Sequence, residues 1–196
     1  MPTQSIAVNA LSFLLNTIFG LFIIAFLVRF FLQLTRCSFQ NQLAQTVMMV
    51  TNFAVKPMRR LLPSLRNIDL STLLLAYISQ WLLQLGLLAV KGFPILLAGH
   101  IVWLSLAGLA LVGIIQSSLY IFIGAVLIQA VISWVNPYSA LGPMLNTFTA
   151  PVLKPLRKTF TLANGLDFSP LVFTIAAQLF MISFVTPLEA YFYGLI

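Results

Sequence analysis

A chain of 196 residues that is 61% hydrophobic and only 7% charged cannot dress itself for water, since a soluble domain carries roughly 25% charged residues. Its solvent must be lipid. The formal net charge of +7 is no nucleic-acid signature either, because the aromatic residues lie inside apolar runs and leave no stacking platform among the basic ones.

Residues 1–16 carry no charged side chain, and the first apolar run continues over 11–34. A signal peptide needs a basic start and a shorter apolar stretch, so this segment is expected to stay as an anchor. About 20 apolar residues cross the hydrocarbon core. Runs 11–34, 70–90 and 168–191, with a segment inside 104–135, meet that length. Lys91, Gly92 and Pro94 stop the second run. The stretch 95–135 reads two ways: two short spans turning at Gln116-Ser117-Ser118, or one long tilted span behind an interfacial or re-entrant piece.

The chain repeats itself at an offset of 98, as Asp69 and Asp167 show. The same shift lays Lys56-Pro57-Met58-Arg59-Arg60 on Lys154-Pro155-Leu156-Arg157-Lys158. It also pairs Thr51 with Thr149, Ser71 with Ser169 and Gln80 with Gln178. Leucines would coincide by chance in so apolar a chain. Two of its three acidic residues would not. The expected architecture is therefore all-α and polytopic: two parallel repeats, 1–94 and 95–196, each reading span, amphipathic helix, basic turn, span.

Within each connector, apolar residues recur at helical spacing: Leu43, Val47, Val50 and Ala54, then Leu141, Leu145, Phe148 and Val152. Such helices are expected to lie at the membrane interface. Pro143 and Pro151 predict a shorter or kinked second copy. Arg29, Arg36, Lys56, Arg59, Arg60 and Arg66 belong to the first connector or its edge, and Lys154, Arg157 and Lys158 to the second. Only Lys91 stands apart. Basic short loops stay in the cytoplasm, which places both connectors on one side and favours four spans over five.

No acidic or basic side chain falls at the centre of a span, so the ion-coordinating acids of pumps are missing. Arg29, near the end of the first span, is placed to snorkel to headgroups. Asp69 and Asp167, each just before a run, are expected to cap the helix that follows and to pair with Arg59 and Arg157. Lys56, Arg59, Arg60, Lys154, Arg157 and Lys158 are candidate contacts for anionic lipid or a protein partner. Gln80 and Gln178, half-way through their spans, are expected to face the bundle interior and each other, as helix glue or as polar points of a permeation path. Gln33, Gln84, Gln116 and Gln129 are their possible companions.

Cys37 and His100 have no second ligand at metal spacing, and nucleotide, metalloprotease and nucleophile-elbow motifs are absent. No enzymatic activity, cofactor or metal is expected.

The doubled basic-Pro-x-basic-basic turn, followed by Asp69-Leu70-Ser71 or Asp167-Phe168-Ser169-Pro170, resembles the YggT (YlmG) family. Ser133-Trp134-Val135-Asn136-Pro137 looks like that family's Ser-Trp-x-x-Pro. The first copy departs in having Thr72 for proline and Arg36-Cys37 for Trp134-Val135; the second has Thr161 where the first has Pro63. The resemblance implies a bacterial inner-membrane protein with chloroplast relatives. It also implies roles in osmotic-stress tolerance and ion uptake, an association with cell-division genes, and in plastids haem attachment or nucleoid organisation. His100 alone offers no haem ligation. Two functions follow as expectations. One is a membrane scaffold or assembly factor, acting on a membrane-protein partner or as a homo-oligomer. The other is a channel-like or accessory protein for small-ion (potassium) uptake.

Overall fold

The computed structural model of the protein describes residues 6–39, 41–62, 68–95, 99–136, 138–139, 141–159 and 167–196. Pro63, Arg66, Pro137, Thr161 and residues 96–98 lie outside those ranges. The elements in chain order are α1 (Ile6–Leu34), α2 (Gln42–Leu61), α3 (Leu70–Val90), α4 (His100–Val135), α5 (Gly142–Thr159) and α6 (Ser169–Phe180). A π-helical turn at Met181–Val185 then leads into α7 (Thr186–Gly194). Four helices are long and apolar enough to cross a membrane: α1, α3, α4 and the continuous Ser169–Gly194.

The four-span reading is the one observed. Helix α4 runs unbroken for 36 residues, roughly 54 Å at 1.5 Å per residue. The expected turn at Gln116-Ser117-Ser118 does not form. The Ser118 hydroxyl donates back to the Ile114 carbonyl (2.7 Å), so it is satisfied without leaving the helix.

The first and third elements end alike. Cys37 N donates to Leu32 O (2.9 Å) and Arg36 N to Gln33 O (3.1 Å); Phe93 N donates to Leu88 O (3.1 Å) and Gly92 N to Ala89 O (3.0 Å). This double closure requires a left-handed residue. Gly92 supplies it at φ 74°, and Arg36 adopts it at φ 56°, at a steric cost glycine does not bear. In the last span, Pro187 has no N–H and crowds the carbonyl four residues back. The helix widens just ahead of it, where Thr186 Oγ1 donates to Met181 O (3.1 Å).

Helix α1 packs along α3, with Ile23, Phe26 and Leu27 against Ala76 and Leu83, and Val55 of α2 closing that cluster. A second cluster joins the two halves at the connector end: Leu32, Cys37 and Ala44 meet Ala125, Leu145 and Phe148. Phe122 bridges it, its ring 4.8 Å from that of Phe31 and 5.3 Å from that of Phe148. Both connectors therefore sit at one end of the bundle. At the far end Leu88 packs on Val102 and Leu106.

The apolar stripe of α2 turns partly outward, toward acyl chains: Leu43 and Val50 are exposed, whereas Ala44, Thr51 and Val55 on the neighbouring side are buried. In α5 the stripe does turn inward, with Leu145 and Phe148 buried. On the inward side of α2, Thr51 lies within hydrogen-bond reach of an arginine on α1.

Candidate functional site at the connector end

Each connector helix is tied to the span before it by a polar clasp. In the first half, Arg29 Nη1 donates to Thr51 Oγ1 (2.7 Å) and to Asn52 Oδ1 (3.0 Å). Arg29 is only 4% exposed, so it does not snorkel to headgroups as expected. Near oxygens within the fold replace the water it gave up. In the second half Gln129 of α4 takes this part. Its Nε2 donates to Asn146 Oδ1 (2.5 Å), and the Thr149 hydroxyl meets its Oε1. Thr51 and Thr149 are thus the repeated element of both clasps.

Each basic turn is locked by an ion pair between repeated residues: Arg59 with Asp69, and Arg157 Nε with Asp167 Oδ2 (2.8 Å). The pairs differ in burial. The Asp69 side chain is fully buried, and that of Asp167 is 33% exposed. Arg59 also reaches Gln33 Oε1 (3.3 Å). Asp69 does not cap α3: its Oδ2 is taken by Arg59, and Oδ1 has no partner among the described residues. The Ser71 hydroxyl instead closes the turn on Leu62 O (2.6 Å). Asp167 does accept from a helical amide, Ser169 N (3.0 Å). Partial burial pushes its carboxyl up, but Ser169 and Arg157 outweigh that and hold it below the ordinary value.

With Arg59 and Arg157 engaged, Lys56, Arg60, Lys154 and Lys158 are exposed and have no ion pair among the described residues. Arg59, Arg60, Arg157 and Lys158 stand in the last turns of their helices, where positive charge complements the helix dipole. Between the N-terminal turns of α2 and α5 runs a groove of 800 Å³ of mixed character, lined by Asn41, Gln42, Thr46 and Thr147 together with Leu43, Leu141 and Met144. Below it, between α1 and α4, lies an apolar groove of 460 Å³ that shares Leu43 and Met144 with the first.

The two repeated glutamines are not brought together. Gln80 is buried on Gly113 of α4, where any Cβ would overlap its amide. Gln178 is exposed on α6. Gln84 accepts from Tyr193 Oη (3.1 Å), joining the halves near the far end. The sequence reading missed Tyr193, Thr51 and Thr149 as polar partners; only the repeat of threonine at one offset signalled the last two. His100 is exposed. The Cys37 thiol is buried, which pushes its pKa up against the contact with Thr35 Oγ1 (3.2 Å). Among the described residues no group of His, Cys, Asp and Glu could hold a metal ion.

Four apolar spanning helices, with two clasped amphipathic connectors at one end, define a multi-pass helical membrane protein. The CCB3/YggT family model matches residues 8–90 and again 108–188. The chain belongs to the CCB3/YggT family. It is 33% identical over 173 residues to a Vibrio alginolyticus protein named "Uncharacterized protein in proC 3'region", covering 87% of this chain and 90% of that one. It is 32% identical over 170 residues to "Uncharacterized protein YggT" of Escherichia coli strain K12, covering 85% of each. A Pseudomonas aeruginosa relative, also named as uncharacterized, is 31% identical over 173 residues, 87% of this chain and 86% of its own. No solved structure matches the chain.

Proposed function

We propose that this protein is a scaffold or assembly factor of the bacterial inner membrane, docking an acidic segment of a membrane-protein partner on its connector end. The carrying observation is the division of labour among the basic residues. Arg59 and Arg157 fix the turns by pairing with Asp69 and Asp167, which leaves Lys56, Arg60, Lys154 and Lys158 exposed for a partner. Basic connectors remain in the cytoplasm, so the docking face is cytoplasmic. The proposal needs no catalytic step and no cofactor. The osmotic-stress link implied by the family resemblance enters as a phenotype: deletion of the gene and loss of the docking face should produce the same growth defect at high salt.

Changing Lys56, Arg60, Lys154 and Lys158 together to glutamine, with Arg59 and Arg157 retained, should abolish partner recovery in native-membrane crosslinking. The thermal unfolding of the purified protein should stay unchanged. Unaltered recovery would remove the docking face, and loss of anionic-lipid binding alone would reduce it to a lipid contact. Potassium flux through proteoliposomes that disappears on Gln80→Leu would replace the scaffold reading by the channel one.

A further inference from the structure

The two repeated glutamines meet opposite fates, and the exposed one poses a chemical problem. Gln178 is the tenth residue of the span Ser169–Gly194, roughly 14 Å along the axis from Ser169 at 1.5 Å per residue. That depth lies well inside a hydrocarbon core about 30 Å thick. Around it on the outer surface are Leu171, Ile175, Leu179 and Ile182, all exposed and apolar. Lipid tails offer neither donor nor acceptor, and an unsatisfied amide is costly there. Asn16, also exposed on a span, avoids the difficulty by donating to the Ser12 carbonyl (2.8 Å). The Gln178 side chain has no hydrogen-bond partner among the described residues.

We infer that two copies of this chain associate through α6, with Gln178 of one bonded to Gln178 of the other. The chemistry of the amide selects a second copy. A carboxamide carries one acceptor oxygen and two N–H donors, so two identical side chains can satisfy each other reciprocally in an isologous pair. Depth makes the same choice. A two-fold axis along the membrane normal puts residue 178 of each copy at one level, whereas an unrelated partner would need its own polar group there. Gln80 at the same repeat position shows the alternative solution, burial within the chain against the other half, and α6 has no third half to meet. Interhelical amide pairs of this kind are a recognised glue in lipid, and the leucine and isoleucine ridge around Gln178 supplies the packing beside it.

Full-length protein labelled with donor or acceptor fluorophores and reconstituted in liposomes tests this by energy transfer over a series of protein-to-lipid ratios. The expected result is saturating transfer with two-copy stoichiometry. Gln178→Leu should weaken association roughly tenfold, and Gln178→Asn should largely retain it. Because Gln178→Leu makes the span more apolar, insertion is preserved, and a circular-dichroism melt checks the fold. In a Cys37→Ser background that keeps Gln178, mild oxidation should crosslink Ile182→Cys between copies but not Ala177→Cys, whose position is 5% exposed. Monomers at every density, undiminished association of Gln178→Leu, or equal crosslinking at 177 and 182 would each overturn the inference.

Discussion

Arg29 Nη1 donates to Thr51 Oγ1 across 2.7 Å, and through that bond the first span holds the helix that follows it. Thr51 in turn donates to the carbonyl of Val47 (2.6 Å), so its oxygen is oriented to accept. Thr51→Val should leave a buried guanidinium short of an acceptor and cost about 1.5–3 kcal/mol. Adding Arg29→Leu should recover part of that loss, because two apolar partners need no hydrogen bond. Unfolding of the two singles and the double in detergent measures the coupling; additive losses would show that the clasp holds nothing.

The repeated ion pairs should not contribute equally. Asp69 has a fully buried side chain while Asp167 is 33% exposed. Asp69→Asn, which removes the ion pair and leaves a buried amide beside an Arg59 that is 41% exposed, should cost roughly 1–3 kcal/mol. Asp167→Asn should cost no more than about 1 kcal/mol. Equal destabilisation of the two variants would contradict the burial difference.

Acid should expose the Asp167 pair. Its folded carboxyl is held below the ordinary 3.8, so the stabilisation is complete above that value and is lost as pH falls through the lowered one. Melting temperatures of the wild type and of Asp167→Asn should therefore converge on acidification below pH 3.8. A gap that persists at lower pH would exclude titration of this carboxylate as its source.

Gly113 leaves the space that Gln80 fills. Gly113→Val should overpack the α3–α4 contact and cost about 1–3 kcal/mol, with Gln80→Ala in the same chain restoring most of it. Thermal unfolding in detergent would report the rescue. Its failure would mean that the two helices are set apart by other contacts.

Orientation is open to labelling. With Cys37 replaced by serine, cysteines at Lys56 and Lys154 should react with an impermeant maleimide from one side of the membrane, and a cysteine at Lys91 from the other. Native Cys37, buried and with its thiol pKa raised, should react far more slowly than either.

Much of this protein is legible in its sequence because lipid enforces local rules. A span must satisfy its own backbone hydrogen bonds, so four apolar runs become four helices whatever surrounds them. Scarce charges, repeated at one offset, mark Arg59 with Asp69 and Arg157 with Asp167 before any contact is seen. Rotation about each helix axis is a different matter. In lipid both the core-facing and the outer surfaces are apolar, so hydrophobic periodicity loses its power to say which side is in. Only packing decided that Gln80 settles on Gly113 while Gln178 faces outward, and that Thr51 of α2 faces Arg29. Those choices depend on the shape and hydrogen-bonding groups of neighbouring helices, which no single stretch of chain contains.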